Sequence, residues 1–445
     1  MEISPIKSLQ KGIKKGIGKL EKIKDHPRRL IAVTGMTAKT KLPPGEGGQA
    51  EQDANGKPAN LERTLDERAE RGEMYRIIKR ILKKRSSAAT DDEGKIWNER
   101  FHAAVEISRK LRGNLDMLNR QYYNPEYMQL VGVEVLGEQV GIPVRRYSLR
   151  DKNAAADKDP TPIFIIGGAT SGTTVTKGTA ETFALQYPDR DVYVIGYPDS
   201  KQSAITADLP EKLKEHGDLA TYTQINKDVL LRMGFEKFDL VGLSMGGGIV
   251  LQAATDPEFA KKINNLIAIS PTSIQETKGK KELGIDFARE TFYLRRHPTQ
   301  WLRVPQVQPG SVLGNHKDMG LGITGEISRH KTLSADDLAN LHIQGRVIIG
   351  TGEKDLVISC EQTKRETKAA NENRIKKGER PIEFMEVQGA RHGLGVVWAP
   401  GIAALIKNNE VLPGQVSVSQ LENSTAKVLV RENPQLAVVA DQILP

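Results

Sequence analysis

A single cysteine, Cys360, stands among the 445 residues. One thiol excludes an intramolecular disulfide and gives no cysteine-bound metal site; it fits a reducing compartment, so a cytoplasmic location is expected. Also missing is any uninterrupted apolar run of about 18 residues, the length a membrane-crossing helix needs. The expectation is a soluble chain, at most peripheral at a membrane. After Arg28-Arg29 the basic N-terminus offers only Leu30-Ile31-Ala32-Val33, too short for the apolar region of a secretory signal, and no small-residue cleavage site follows. Charge of one sign is lacking as well. The 65 Lys and Arg face 56 Asp and Glu, a net +9, so the average surface is mixed and any basic signal is local. Histidines show no ligand spacing and no glycine-rich stretch reads as a phosphate cradle, so no metal, no organic cofactor and no nucleic acid partner is expected.

What is present divides the chain unevenly. In residues 1–60, Ile6, Leu9, Ile13, Ile17, Leu20 and Ile23 fall in steps of three or four, which places them on one helical face, and Lys7, Lys11, Lys14, Lys15, Lys19, Lys22 and Lys24 cover the remainder. Residues 6–23 thus have the pattern of an interfacial helix for an anionic membrane surface, with docking on the chain's own domain or on a protein partner as the alternative. Gly12, Gly16 and Gly18 weaken it, each by about 1 kcal/mol of helix propensity. Pro and Gly clusters from Lys41 to Asn60 read as a linker. Residues 61–125 form a helical appendage of two segments. In the second, Trp97, Phe101, Ala104, Leu111, Leu115 and Leu118 make a stripe fit for a helical hairpin or for lying on the next domain.

From residue 126 the pattern turns to strands. Leu130–Val135 and Val140–Leu149 alternate across a short Gly-containing turn, a hairpin signal. Thereafter apolar runs alternate with helical stretches: Pro162–Ile166, Asp191–Gly196, Phe238–Leu243, Leu266–Ser270, Gly345–Gly350 and Pro381–Val387. This predicts an α/β domain over 126–410 with an eight-stranded, mostly parallel sheet. The alternation stops over about 273–342, far beyond the two to six residues usual between such elements. Ile285, Phe287, Phe292, Tyr293, Trp301, Leu302 and Leu313 within it point to a helical cap insertion. Residues 411–445 are a C-terminal tail without a clear period.

The chemistry concentrates at Gly242-Leu243-Ser244-Met245-Gly246. A buried apolar strand runs directly into it and a helical pattern (Ile249, Val250, Ala253, Ala254) begins at once, so Ser244 must sit on the sharp turn between them, a nucleophile elbow. Glycines flank it because neighbouring backbone comes so close that a Cβ would clash. Met245, first on the helix, offers a backbone N–H at the positive end of the helix dipole, where an oxyanion could form.

A serine hydroxyl needs a base, and the base needs an orienting group. In an open α/β sheet these partners should follow the strands beyond the elbow, at their carboxyl ends. Gly350-Thr351-Gly352-Glu353-Lys354-Asp355 stands at the end of one, and Gly389-Ala390-Arg391-His392-Gly393 just past the next. His392 is therefore the candidate base. Asp355 is preferred as the acid over Glu353, which could be a surface ion-pair partner. A second oxyanion donor is expected from Gly167-Gly168-Ala169-Thr170-Ser171-Gly172, with Ala169 first and Gly168 second.

The order Ser244, Asp355, His392, with the run from Tyr222 to Gly234 and then Lys237 to Gly247, resembles the α/β-hydrolase-fold serine hydrolases (esterase- and lipase-like) across about 130–408. Two places depart from that family's habits: Leu243 stands where members often carry His, and Gly167-Gly168 where they often carry His-Gly. The resemblance implies a triad hydrolase that cleaves an acyl bond, foremost a carboxylic ester, in a small-molecule or lipid-like substrate. An acyltransferase with the same triad and a non-catalytic binding protein on the same scaffold are the alternatives. Nothing in the sequence sets the oligomeric state.

Overall fold

The hairpin signal becomes the first two strands of the computed structural model. It describes residues 113–114, 116–118, 120–150, 161–168, 176–198, 202–276, 278–279, 282–286, 289–290, 330–393, 399–407, 414–417 and 420–421. β1 (Met128–Val135) and β2 (Glu138–Tyr147) pair antiparallel in register from Met128 with Arg145 to Val135 with Glu138. The turn between them holds Leu136 at φ 49° and Gly137 at φ 81°. Positive φ at both central residues is what a tight two-residue hairpin demands. The 6–23 segment, the 41–60 linker, the 61–85 segment and most of the 92–120 stripe lie outside the described residues, as does the greater part of the 273–342 insertion.

Seven further strands complete one sheet: β3 (Ile163–Ile166), β4 (Val192–Ile195), β5 (Phe238–Leu243), β6 (Ile263–Ile269), β7 (Val347–Gly352), β8 (Glu383–Val387) and β9 (Gly414–Val416). Their order is β1-β2-β4-β3-β5-β6-β7-β8-β9. β2 meets β4 antiparallel, and from β4 through β9 every pairing is parallel. The ninth strand lies in what reads from sequence as an unassigned tail. At three residues, Gly-Gln-Val, it is too short to show alternation, and its place is fixed by pairing with Met385–Val387.

Strand side chains alternate between two apolar cores, as the pleat requires. Phe164, Ile166, Leu240, Ala268 and Ile349 face one, with α3 (Leu219–Arg232), α4 (Met245–Ala253) and part of α7 (Cys360–Lys376). Ile163, Ile165, Val241, Ile267 and Ile348 face the other, with α1 (Lys177–Gln186) and α8 (Ala399–Lys407). Fully burying one such side chain contributes about 1.5–3 kcal/mol. Leu118, from the appendage stripe, is fully buried in this second core. The helices between are α2 (Leu209–His216), α5 (Pro257–Ala260) and α6 (Ala335–Ala339). Their starts are chemically marked: Asp218 and Thr221 form a reciprocal capping box on α3, and Ser359 accepts from the Gln362 amide at the start of α7. Among the described residues no helix is long and apolar enough to cross a membrane. Parallel β3, β5, β6, β7 and β8 all end at the same edge, and among the described residues Gly168, Ser244, Asp355 and His392 follow the ends of β3, β5, β7 and β8 there.

Candidate active site

Ser244 occupies the turn between β5 and α4 at φ 55°, ψ −115°. A β-carbon residue at positive φ is strained, and it persists only where the surroundings over-determine it. Here backbone does so. The Ser244 amide donates to the Ile269 carbonyl of β6 (2.8 Å), while the Ser244 carbonyl accepts from the Gly248 amide and from the Thr272 amide, both at 3.2 Å. The flanking glycines leave no room for a side chain. A Cβ on Gly242 would lie 2.3 Å from the Gly246 carbonyl oxygen, and one on Gly246 would lie 2.2 Å from the Ile166 carbonyl oxygen. The tight approach expected from the motif is thus present on both sides.

His392, in the loop after β8, brings its Nε2 to 3.1 Å from the Ser244 Oγ. Its Nδ1 lies 3.0 and 3.1 Å from the two carboxylate oxygens of Asp355, in the loop after β7. With the proton on Nδ1 donating to Asp355, Nε2 is left as an acceptor facing the serine hydroxyl. The Asp355 side chain is wholly shielded from solvent, and its Oδ1 also accepts from the backbone amides of Val357 (2.9 Å) and Ile358 (2.8 Å). The carboxylate is therefore fixed by backbone as well as by the imidazole. Burial opposes a charged His392. The Asp355 charge and hydrogen bond, assisted by the charge of Glu290, outweigh it and raise the imidazole above its ordinary 6.5.

Glu353, the competing acid, is engaged with backbone. Its Oε2 accepts from the Gly389 amide at 2.7 Å, and its own amide donates to the Val387 carbonyl. It pins the turn that leads from β8 to His392, where Gly389 sits at φ 72°. The residue read as a surface ion-pair partner is thus a brace of the histidine loop.

Of the oxyanion candidates, Met245 is fully buried at the first position of α4, where an N–H has no acceptor within its own helix. Gly168 is buried in the loop leaving β3, and Ala169 lies outside the described residues. That loop abuts the elbow through the Ile166 and Gly167 carbonyls, and the Gly167 carbonyl is held by the buried Tyr197 hydroxyl. Tyr197, just past β4, has no motif around it and was out of reach of sequence reading.

Two further residues were equally hidden. Glu290, from the insertion, accepts the Leu356 amide at 3.0 Å, and Lys278 donates to the Leu356 carbonyl at 2.7 Å. Among the described residues no group of three His, Cys, Asp or Glu side chains is arranged to hold a metal ion. Cys360, buried at the start of α7, has its thiol pushed up to about 12 by burial and by the nearby Glu386 and Glu361 charges, which disfavours the thiolate.

No family model matches the chain, and no curated protein matches it. Solved structures of similar shape include the thioesterase domain from the curacin biosynthetic pathway, 14% identical, covering 63% of this chain and 99% of that one with a TM-score of 0.42. Others are the enol-lactonase from Burkholderia xenovorans (11% identical, 62% and 98% covered, TM-score 0.43) and a thermophilic esterase from Thermogutta terrifontis (12%, 63% and 97%, TM-score 0.42). The strand order and the serine turned out between β5 and α4 identify the architecture without them: the chain has an α/β-hydrolase fold.

Proposed function

We propose that this protein is a serine hydrolase that cleaves an acyl bond, foremost a carboxylic ester, through an acyl-enzyme. The observation that carries the reading is the continuous chain from Ser244 Oγ to His392 Nε2 (3.1 Å) and from His392 Nδ1 to Asp355 (3.0 Å), with the serine on a strained elbow. In this reading Ser244 Oγ attacks the substrate's carbonyl carbon while His392 Nε2 takes the hydroxyl proton. Asp355 keeps the imidazole in the required tautomer and stabilises the imidazolium. The tetrahedral oxyanion is received by the backbone N–H of Met245 and by one from the loop after β3, Ala169 or Gly168. Collapse breaks the bond to the alkoxide, which leaves with the proton from His392. Water then attacks the acyl-enzyme, giving its proton to His392, and a second collapse releases the acid and restores the Ser244 hydroxyl.

The test is a panel of p-nitrophenyl esters, thioesters and anilides assayed with the full-length protein and with Ser244→Ala beside it. Ester turnover that vanishes in the variant supports the reading. Turnover that survives in the variant, or no turnover on any member of the panel, removes it. Acyl transfer from an ester to an added alcohol or amine in preference to water would move the assignment to an acyltransferase with the same triad.

A further inference from the structure

The insertion between β6 and β7 contributes more than length. Two of its residues grip the backbone of a single residue, Leu356, immediately after Asp355. Glu290 Oε1 accepts the Leu356 amide (3.0 Å), and Lys278 Nζ donates to the Leu356 carbonyl (2.7 Å). The next two amides in the chain, those of Val357 and Ile358, bind the Asp355 carboxylate itself. The loop that aims Asp355 is thus held on one side by its own carboxylate and on the other by side chains from a separate part of the chain.

Glu290 is an unusual choice for a mere strut. It is 4% exposed, and its second oxygen, Oε2, is buried without a hydrogen bond. A neutral amide would serve a backbone amide as well and would avoid the cost of burying a charge. Arg391, the residue before His392, brings its Nη1 to 3.6 Å from the Glu290 Oε1, beyond hydrogen-bond length. Lys278 is engaged with Asp286 at 2.9 Å, and Arg289 lies 3.9 Å from that same Asp286. The charged groups that act on the imidazole are Asp355 from the loop after β7 and Glu290 and Lys278 from the insertion, with Arg391 set beside Glu290 and Asp286 beside Lys278.

We propose that Glu290 is a positioning residue for the reaction assigned above: through the Leu356 amide it fixes the loop that aims Asp355, and its charge supports His392 when the imidazole carries the proton. A buried negative charge helps at that moment and at no other, since His392 is neutral before attack and cationic in the transition state. The direction of the imidazole's shift agrees, as Glu290 acts on it upward alongside Asp355. Burial, together with the Asp355 charge, raises the Glu290 carboxyl in turn, although the Leu356 amide opposes this. The inference rests on the hydrolase reading, and the experiment separates the two.

The experiment compares full-length wild type, Glu290→Gln, Glu290→Ala and Glu290→Asp. Glu290→Gln keeps an oxygen for the Leu356 amide and removes the charge. The ionisation of His392 is followed by NMR of its ring protons, assigned with His392→Ala, and the rate of labelling by a fluorophosphonate is followed against pH. In Glu290→Gln the His392 midpoint should move to lower pH, and the acid limb of labelling should move with it, while the melting temperature stays near wild type. Glu290→Ala should show the same shift with a further loss in the plateau rate, and Glu290→Asp should recover part of the shift. A His392 midpoint in Glu290→Gln equal to wild type, or higher, overturns the proposal even where wild type labels normally. A wild type that never labels overturns the hydrolase reading and takes the role in reaction with it, whatever the titration shows.

Discussion

The elbow around Ser244 is held by backbone lying against backbone, whereas the loops carrying Asp355 and His392 add to their main-chain bonds, such as the Lys354 amide to the Ala390 carbonyl (2.8 Å), side chains reaching in from elsewhere. At the elbow the close approaches are between main chains: Gly242 against the Gly246 carbonyl, Gly246 against the Ile166 and Gly167 carbonyls, and the Ser244 amide on Ile269. On the other side Glu353 holds Gly389, while Glu290 and Lys278 hold Leu356. Gln275, also from the insertion, accepts the Ser359 amide at 3.2 Å. Main-chain packing of the first kind tolerates no added atom. A hydrogen bond of the second kind can be lost for about 1 kcal/mol and leave the loop in place. The nucleophile should therefore fail abruptly under substitution near it, and the acid–base pair should degrade by degrees.

The sharpest break in that contrast is chemical. Ser244→Ala should remove turnover by at least about 10⁴-fold while thermal melting stays near wild type, because the hydroxyl contributes little to the core. His392→Ala should lose about as much, and the double variant no more than either, since members of a triad act as a unit. Losses that multiply in the double variant would mean that the two residues act independently.

Next in size is Gly246→Ala. One methyl group would have to displace the carbonyls of Ile166 and Gly167, which belong to β3 and to the loop that leaves it. Overpacking of this kind costs about 1–3 kcal/mol and should lower both melting temperature and turnover. The control is Gly132→Ala, where a Cβ meets nothing within 4 Å. Equal melting for the two variants would show that the elbow is looser than its geometry states.

Between the carboxylates the expected order is clear. Asp355→Asn should cost about 10⁴-fold in kcat, because an amide can present its N–H to His392 Nδ1 and favour the wrong tautomer. Glu353→Gln keeps an oxygen for the Gly389 amide and should stay within about threefold, on the scale of a retained neutral hydrogen bond; Glu353→Ala should lose up to about tenfold. A ranking with Glu353→Gln below Asp355→Asn would reassign the acid.

These contrasts also explain what could be read from the sequence. The elbow is legible because its constraint is steric and local: two glycines, each two positions from Ser244, a buried run before and an apolar helix pattern after. Asp355 and His392 followed from the sheet, since strands β7 and β8 end where a partner can reach β5. The bond from Glu353 to the Gly389 amide is not legible in the sequence, because it crosses between two strands whose register a linear reading does not contain. Glu290, Lys278 and Tyr197 were invisible for the same reason in stronger form: each meets its partner only through tertiary contact. The strand Gly414–Val416 escaped for want of length, and helices α2 and α7 because their apolar stripes are thin among charged residues.

The smallest effect on turnover is expected from the segment furthest in sequence from the described site. If residues 6–23 form an interfacial helix, the full-length protein should co-sediment with vesicles containing anionic lipid and release at high salt, since each lysine contributes about 1 kcal/mol and is screened. Removing the chain before Leu61 should abolish that binding and leave turnover of a small soluble ester unchanged. Identical partitioning of the long and short forms would favour docking on the chain's own domain or on a protein partner.

The central claim is that Ser244 is a nucleophile activated by His392, and the most direct measurement is the site and pH dependence of fluorophosphonate labelling. Attack needs neutral His392, and that imidazole is raised above 6.5. Peptide mapping should therefore find the adduct on Ser244 alone, at a rate that is low at acidic pH and climbs through a midpoint above 6.5. An adduct on another residue, a rate indifferent to pH across that range, or no adduct at any pH would contradict the claim.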